Sequence, residues 1–268
     1  MARNNKTQVK RLAAIAMVAL VAGGAPAAAQ WPQQRSTLAR TADGRVDLNA
    51  PPPRTADGRP DLYGVWEQTN EFEPPKYLIN IAADMKPEDV PLRDWARQLL
   101  EQRRANNSAD HPGARCLPSG IPEKNAVPAP FKIVQLPGLV VILYESRTIF
   151  RQIFTDGRPL PPSDAQPTWQ GYSIGRWDND TFVVETAGFN GKSWLDMAGH
   201  PATESLRVTE RFTRRNVGRM DLDVTIDDPK AYTRPWTVKQ SLRLLPEDEL
   251  IEHICEENNK APTHIFGR

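Results

Sequence analysis

The side chains best placed to do chemistry are polar residues that fall on otherwise apolar faces. Glu210 alternates in phase with Leu206, Val208 and Phe212, and Gln240 with Trp236, Val238, Leu242 and Leu244. A buried carboxylate without a partner costs several kcal/mol, so Glu210 has two outlets. It either forms a structural pair, with Arg151 as the candidate, or faces a wet cavity where it orients a ligand or exchanges a proton. The connection from Gly188 to Ser205 adds Trp194, Asp196, His200 and Glu204, more functionality and more length than a hairpin needs. As a rim loop over a barrel mouth it would offer His200 as acid or base near neutral pH; the alternative is a surface loop with a solvated imidazole. His253, in phase with Ile251 and two residues from Cys255, is either packed or catalytic. Glu210 converging with His200 or His253 would make a general acid–base pair fit for an isomerase, cyclase or hydrolase without a cofactor.

Other patterns imitate catalytic motifs without their context. Gly171-Tyr172-Ser173-Ile174-Gly175 reads as G-x-S-x-G, followed in hydrolase order by Asp196 and His200, but a nucleophile elbow needs a strand running into a helix and here a hairpin follows. Gly191-Lys192-Ser193 resembles the end of a phosphate loop whose first glycine would have to be Thr186. The chain has 4 His, none at i, i+4, and no closely spaced Cys pair, so no structural zinc site is expected, a mononuclear site of His and carboxylates being the one metal alternative left; no cofactor is expected.

These residues must be positioned by β-structure. Short alternating segments run from Phe131 to Leu136, Leu139 to Glu145, Ile149 to Phe154, Trp169 to Trp177, Thr181 to Ala187, Leu206 to Arg214, Arg219 to Asp227, Trp236 to Leu245 and Glu249 to Glu256, separated by turn signals such as Pro137-Gly138 and Asp178-Asn179-Asp180. Met220, Leu222, Val224 and Ile226 share one face, while Arg219, Asp221, Asp223 and Thr225 share the other. About nine strands joined mostly as hairpins predict an antiparallel up-and-down, calycin-like barrel rather than a sandwich. One amphipathic helix is predicted at about 90–104, capped by Asp89, with Leu92, Trp95, Ala96, Leu99 and Leu100 on its apolar face. A barrel wide enough for a ligand would be lined by Tyr144, Arg151, Gln152, Tyr172, Trp194, Asp196, Glu210 and Gln240, with Trp169 and Trp177 adding aromatic surface.

The chain ends bound the setting. Arg3, Lys6, Lys10 and Arg11 precede an apolar run from Leu12 to Ala22 and then Ala27-Ala28-Ala29, the layout of a signal peptide over residues 1–29 and too short to span a bilayer. Without it 30 Lys plus Arg face 33 Asp plus Glu, a balance of about −3. Such a surface argues against nucleic acid or an anionic membrane as partner, and a periplasmic or secreted location is expected. Residues 30–60 read as a flexible or surface-draped leader rich in Pro and Arg, and 61–268 as one β domain. The leader contains a duplicated hexapeptide, Arg40–Arg45 and Arg54–Arg59, and only the second copy continues into Tyr63-Gly64-Val65-Trp66. Cys116 and Cys255 are the whole thiol inventory, and in an oxidising compartment they predict a disulfide.

The stretch from Arg54 to Trp66 resembles the opening of a large bacterial family of exported proteins of unassigned function. So do Ala114–Pro118, Phe150–Phe154, Gly171–Trp177 and Thr225–Trp236. That resemblance covers nearly the whole chain after residue 29 but implies no activity. Gly64-Val65-Trp66 is also similar to the G-x-W opening of lipocalins, which implies a similar barrel. Taken together, the sequence predicts an exported barrel binding a small, mostly apolar molecule, with the acid–base enzyme as the alternative.

Overall fold

The computed structural model describes residues 36–69 and 75–257; the signal-peptide reading of 1–29 falls outside them. Nine strands follow one another around a closed barrel: β1 (Gly64–Gln68), β2 (Phe131–Leu136), β3 (Leu139–Tyr144), β4 (Ile149–Phe154), β5 (Tyr172–Asp178), β6 (Thr181–Ala187), β7 (Arg207–Arg214), β8 (Arg219–Asp227) and β9 (Trp236–Leu244). Between β1 and β2 lie α1 (Lys76–Ile79), α2 (Asp94–Ala105) and α3 (Glu123–Ala126). Among the described residues no helix is long and apolar enough to cross a membrane.

Alternation does most of the building. On β8 the side chains of Met220, Leu222, Val224 and Ile226 are fully buried, while Asp221 and Asp223 face outward beside β7 and β9. Outer faces are tied across strands by hydroxyl pairs, Thr181 with Thr213 at 3.0 Å and Thr225 with Thr237 at 2.8 Å. Pro137-Gly138 joins β2 to β3, with Gly138 at φ 74, a left-handed value that glycine adopts without a Cβ clash.

The ninth strand is not where alternation at the chain's end suggested. Residues 249–256 form no strand; they run as an exposed tail. The place is taken by β1, which pairs with β2 on one side and closes the ring against β9 on the other, Trp66 opposite Leu244. Trp66 is fully buried, its Nε1 donates to Leu62 O at 3.0 Å, and the buried Arg214 guanidinium lies 4.9 Å from its ring. Strand β5 also begins later than its aromatic pattern implied, at Tyr172 rather than Trp169.

An odd number of strands has a geometric consequence. Antiparallel neighbours alternate in direction, and nine members of a closed ring cannot alternate all the way round, so at least one pair must run parallel. That pair is β4 and β5, joined only at Ile153 opposite Ser173 and Phe154 opposite Ile174, after the connection 155–171 has carried the chain back to the other end.

One barrel end is closed by the leader. Both hexapeptide copies fold into the same turn, Thr41 N donating to Arg45 O at 2.8 Å and Thr55 N to Arg59 O at 2.9 Å. Arg40 then reaches Glu247 and Arg54 reaches Asp180, both at 2.7 Å. The opposite end carries the three helices and the long connections. Helix α2 starts at Asp94 with Arg93 rather than Asp89 as its N-cap, because Pro91 and Leu92 stay extended and Leu92 bridges to Tyr232. It buries Ala96 and Leu100, and leaves Trp95 exposed with its indole N–H on Lys230 O.

The disulfide joins Cys116 to Cys255 across 139 positions. It fixes the tail against the turn after β3, where His253 N donates to Thr148 Oγ1 at 3.1 Å and Arg147 N to His253 Nδ1 at 2.9 Å. Chain-entropy arguments put the contribution of a loop this long at up to about 5 kcal/mol. Reduction, or a Cys116→Ser/Cys255→Ser variant, should therefore lower the melting temperature by on the order of 10 °C in calorimetry.

Candidate functional site

The barrel interior is divided by depth. Near the leader end Leu62, Ile133, Val140, Ile142, Ile153, Phe182 and Phe212 close on one another and leave no space for a water molecule. Above them lies a charged layer. Glu210, placed between Val184 of β6 and Val224 of β8, is fully buried, and Arg151 of β4 meets it with two nitrogens, Nη1 to Oε1 at 3.1 Å and Nη2 to Oε2. Arg151 Nε donates to Ser173 Oγ at 3.0 Å and Nη2 to Thr186 Oγ1 at 2.8 Å. From the helical end, Asn125 of α3 donates its Nδ2 to Glu210 Oε1 at 2.6 Å and accepts from the Tyr144 hydroxyl at 2.8 Å.

This network is built to hold, not to react. Burial works against the Arg151 charge, but the Glu210 carboxylate outweighs it and keeps the guanidinium above its ordinary pKa. Burial also pushes the Tyr144 phenol up to about 12, so it remains a donor. Ser173 belongs to the same network, at the start of β5, which turns into β6 rather than into a helix, so it sits at no elbow. Glu210 therefore forms the structural pair with Arg151 that its phase allowed.

Sequence reasoning expected the polar candidates to converge on one pocket, and they do not. Tyr144, Arg151 and Glu210 meet in the interior. Gln240 is buried on β9, and among the described residues neither its side-chain N nor O has a hydrogen-bond partner; the same holds for Gln68 of β1. Trp194 is held between Arg103, 3.9 Å from its ring, and His111 in an edge contact at 4.9 Å. Asp196 and His200 form a dyad near α2, Nδ1 to Oδ2 at 2.5 Å. The connection 188–205 is thus neither a solvated loop nor a lid over Glu210, since Trp194, Asp196 and His200 are all buried. His253 is exposed on the tail, so its expected packing in a last strand is corrected along with the strand itself. Glu210 has Arg151 and Asn125 as neighbours, His200 has Asp196, and His253 has Arg147 and Thr148. The acid–base pairing of Glu210 with either histidine is not formed.

Gln152 and Tyr172 lie elsewhere, on a groove in the barrel wall. Because β4 and β5 pair over only two residues, the wall beside Ile149–Gln152 is open, and the opening is a groove of about 520 Å³. Phe150, Phe154, Trp169 and Tyr172 line it, with Pro118 at the disulfide end and Arg151 and Ser173 as its floor. Phe150 is 61% exposed, and Phe154 stacks on Tyr172 at 5.1 Å. Arg158 sits 3.9 Å from the Phe154 ring with its charge matched by Asp156. Gln170 Nε2 is buried there without a partner.

Of the five aromatics expected to supply ligand contacts, only Trp169 and Tyr172 reach this groove. Phe150, Phe154, Gln170 and Asn125 were missed. The two phenylalanines carried a signal: Ile153 faces the core, Arg151 shares its phase, and Phe150 and Phe154 must then point outward. Asn125 carried none, because α3 is too short for periodicity. The chain matches no family model and no curated protein.

Two consequences can be measured. Glu210→Gln leaves the Arg151 charge unmatched and should cost about 3–5 kcal/mol in urea denaturation, whereas Glu210→Leu with Arg151→Met should recover much of that loss. Lys124, buried beside Tyr144 with its Nζ on Ser146 O at 2.5 Å, is pushed down to about 7, chiefly by burial. Between about pH 7 and 10.5 the unfolded chain then holds a proton that the folded chain lacks, so this residue makes stability rise with pH across that window. Denaturation at pH 7 and pH 9 should show the rise, and Lys124→Met should flatten it.

Proposed function

We propose that this chain is an exported binding protein, periplasmic or secreted and of the family its opening resembles, that holds a small, uncharged, mostly apolar molecule in the groove between β4 and β5. The observation that carries this reading is an open, aromatic-lined groove of about 520 Å³ whose floor is charge-neutral. Its volume lies in the range of small-molecule sites, about 300–1,000 Å³. Phe150 is a large side chain left in water with no packing reason, as expected of a surface that another apolar body covers.

Charge matching selects the cargo. Arg151 is neutralised by Glu210 and Arg158 by Asp156, so neither offers a free charge to an anion. The polar contacts left for orienting a ligand are the amides of Gln152 and Gln170, which suit one or two carbonyl, hydroxyl or ether oxygens on an otherwise apolar ring system.

Titration with the neutral apolar fluorophore N-phenyl-1-naphthylamine tests the reading. A saturable rise in its emission is expected, with quenching of Trp169. Removing one aromatic wall by Phe150→Ser should weaken binding by about tenfold or more, the equivalent of losing a buried phenyl group. Non-saturable binding, or an affinity untouched by Phe150→Ser and Trp169→Ala together, would overturn it.

A further inference from the structure

A second recess lies beneath α2 and shares no lining residue with the groove. It measures about 130 Å³ and is bounded by Ala82, Met85, Val90, Leu92 and Leu100 on its apolar side. Arg97, Glu101 and Arg104, one stripe of the helix at i, i+4 and i+7, face it together with His200. We propose that this cleft binds a short-chain carboxylate, with His200 Nε2 hydrogen-bonded to the carboxylate, Arg97 and Arg104 matching its charge, and the alkyl chain against the apolar wall.

His200 is what marks the cleft as a site. Its side chain is only 2% exposed, and its Nδ1 is committed to Asp196, a carboxylate that accepts and so fixes the proton on that nitrogen. Asp196 is itself locked by backbone N–H groups of Ile81, Gly199 and His200 at 2.8, 2.9 and 3.1 Å. The ring cannot turn, and its other nitrogen has no hydrogen-bond partner among the described residues. The imidazole lines the cleft, so Nε2 is the one polar atom of this buried side chain left to meet a group that enters it.

The chemistry of the walls says which group. Among the described residues the Arg104 side chain has no hydrogen bond or ion pair, and the Arg97 side chain makes one long contact, 3.4 Å to Leu92 O, so two cations face one Glu101 carboxylate. The opposite wall is aliphatic. A cavity of about 150 Å³ holds a benzene-sized molecule, so 130 Å³ limits the chain to roughly four carbons.

Binding is coupled to proton uptake. With a carboxylate on each side the imidazole takes a proton from solvent at Nε2, becoming an imidazolium between Asp196 and the ligand. Asp196 bears on it from its own loop, Arg97, Glu101 and Arg104 from α2, and Arg103 and Tyr232 lie behind the dyad, within charge range of Asp196. Affinity should therefore fall as pH rises, by up to about tenfold per pH unit, because one proton is bound with each carboxylate.

The probe is sodium butyrate, followed by ¹⁵N shifts of the histidine rings in the full chain at pH 6 and pH 8. A saturable shift confined to the His200 ring is expected, with at least about tenfold weaker binding at pH 8. His200→Gln should remove the pH dependence. The surface pair Arg97→Gln/Arg104→Gln should weaken binding by about tenfold without changing the melting temperature, which keeps the test open if His200→Gln does not fold. No saturable shift of His200, equal affinity at both pH values, or tighter binding of inorganic phosphate than of butyrate would each overturn the proposal.

Discussion

Closing nine strands into a ring is the constraint from which the other features follow. One neighbouring pair has to run parallel, and a parallel pair needs a crossover that returns the chain to the end it left. Here the crossover leaves β4 and β5 in register for two residue pairs only. Above them the barrel wall lacks backbone hydrogen bonds, so the interior at that height comes close to water. An apolar core filled to that level would be exposed through the gap. A guanidinium bridging Ser173, Thr186 and Glu210 tolerates partial hydration and spans the distance that the missing ladder leaves.

The same arrangement explains why the pair is so thoroughly bonded. Removing two charges from water costs several kcal/mol per ion, and attraction offsets that only with good geometry and every hydrogen-bonding position used. Two contacts to Glu210, two hydroxyls on Arg151 and the Asn125 amide supply this. The helical end of the molecule is therefore tied to the barrel centre: α3 places Asn125, and Tyr144 orients it. What looked like candidate catalytic machinery is a polar keystone, and the surfaces left to meet a ligand lie outside it.

Much of the barrel could be read from period-2 alternation between Phe131 and Leu244, because strands with one buried face must alternate. Glu210 inward was legible for the same reason, and the Cys116–Cys255 bridge because these two are the whole thiol inventory. The errors came where contacts are distant in sequence. Ile251, His253 and Cys255 alternate, but no strand is free to receive them once β1 has paired with β9. Gly64–Gln68 is only five residues after a proline-rich leader, too short to claim a place in the ring on pattern alone. The groove left no local trace, since it is a gap between two segments and not a property of either. His200 could be named from its type, whereas the cleft it faces depends on where α2 docks.

The pairing of β1 with β9 also orders events in time. Glu67 and Arg243, partners across that seam, are 176 positions apart. As the chain is made or emerges from its N-terminal side, β1 exists long before its last neighbour, with an open edge and Trp66 uncovered. Contacts of such separation form slowly, and an unpaired edge is a template for another chain. The interval between the appearance of β1 and that of β9 is thus the period of greatest vulnerability to misassociation, and it ends only when about nine-tenths of the chain is present.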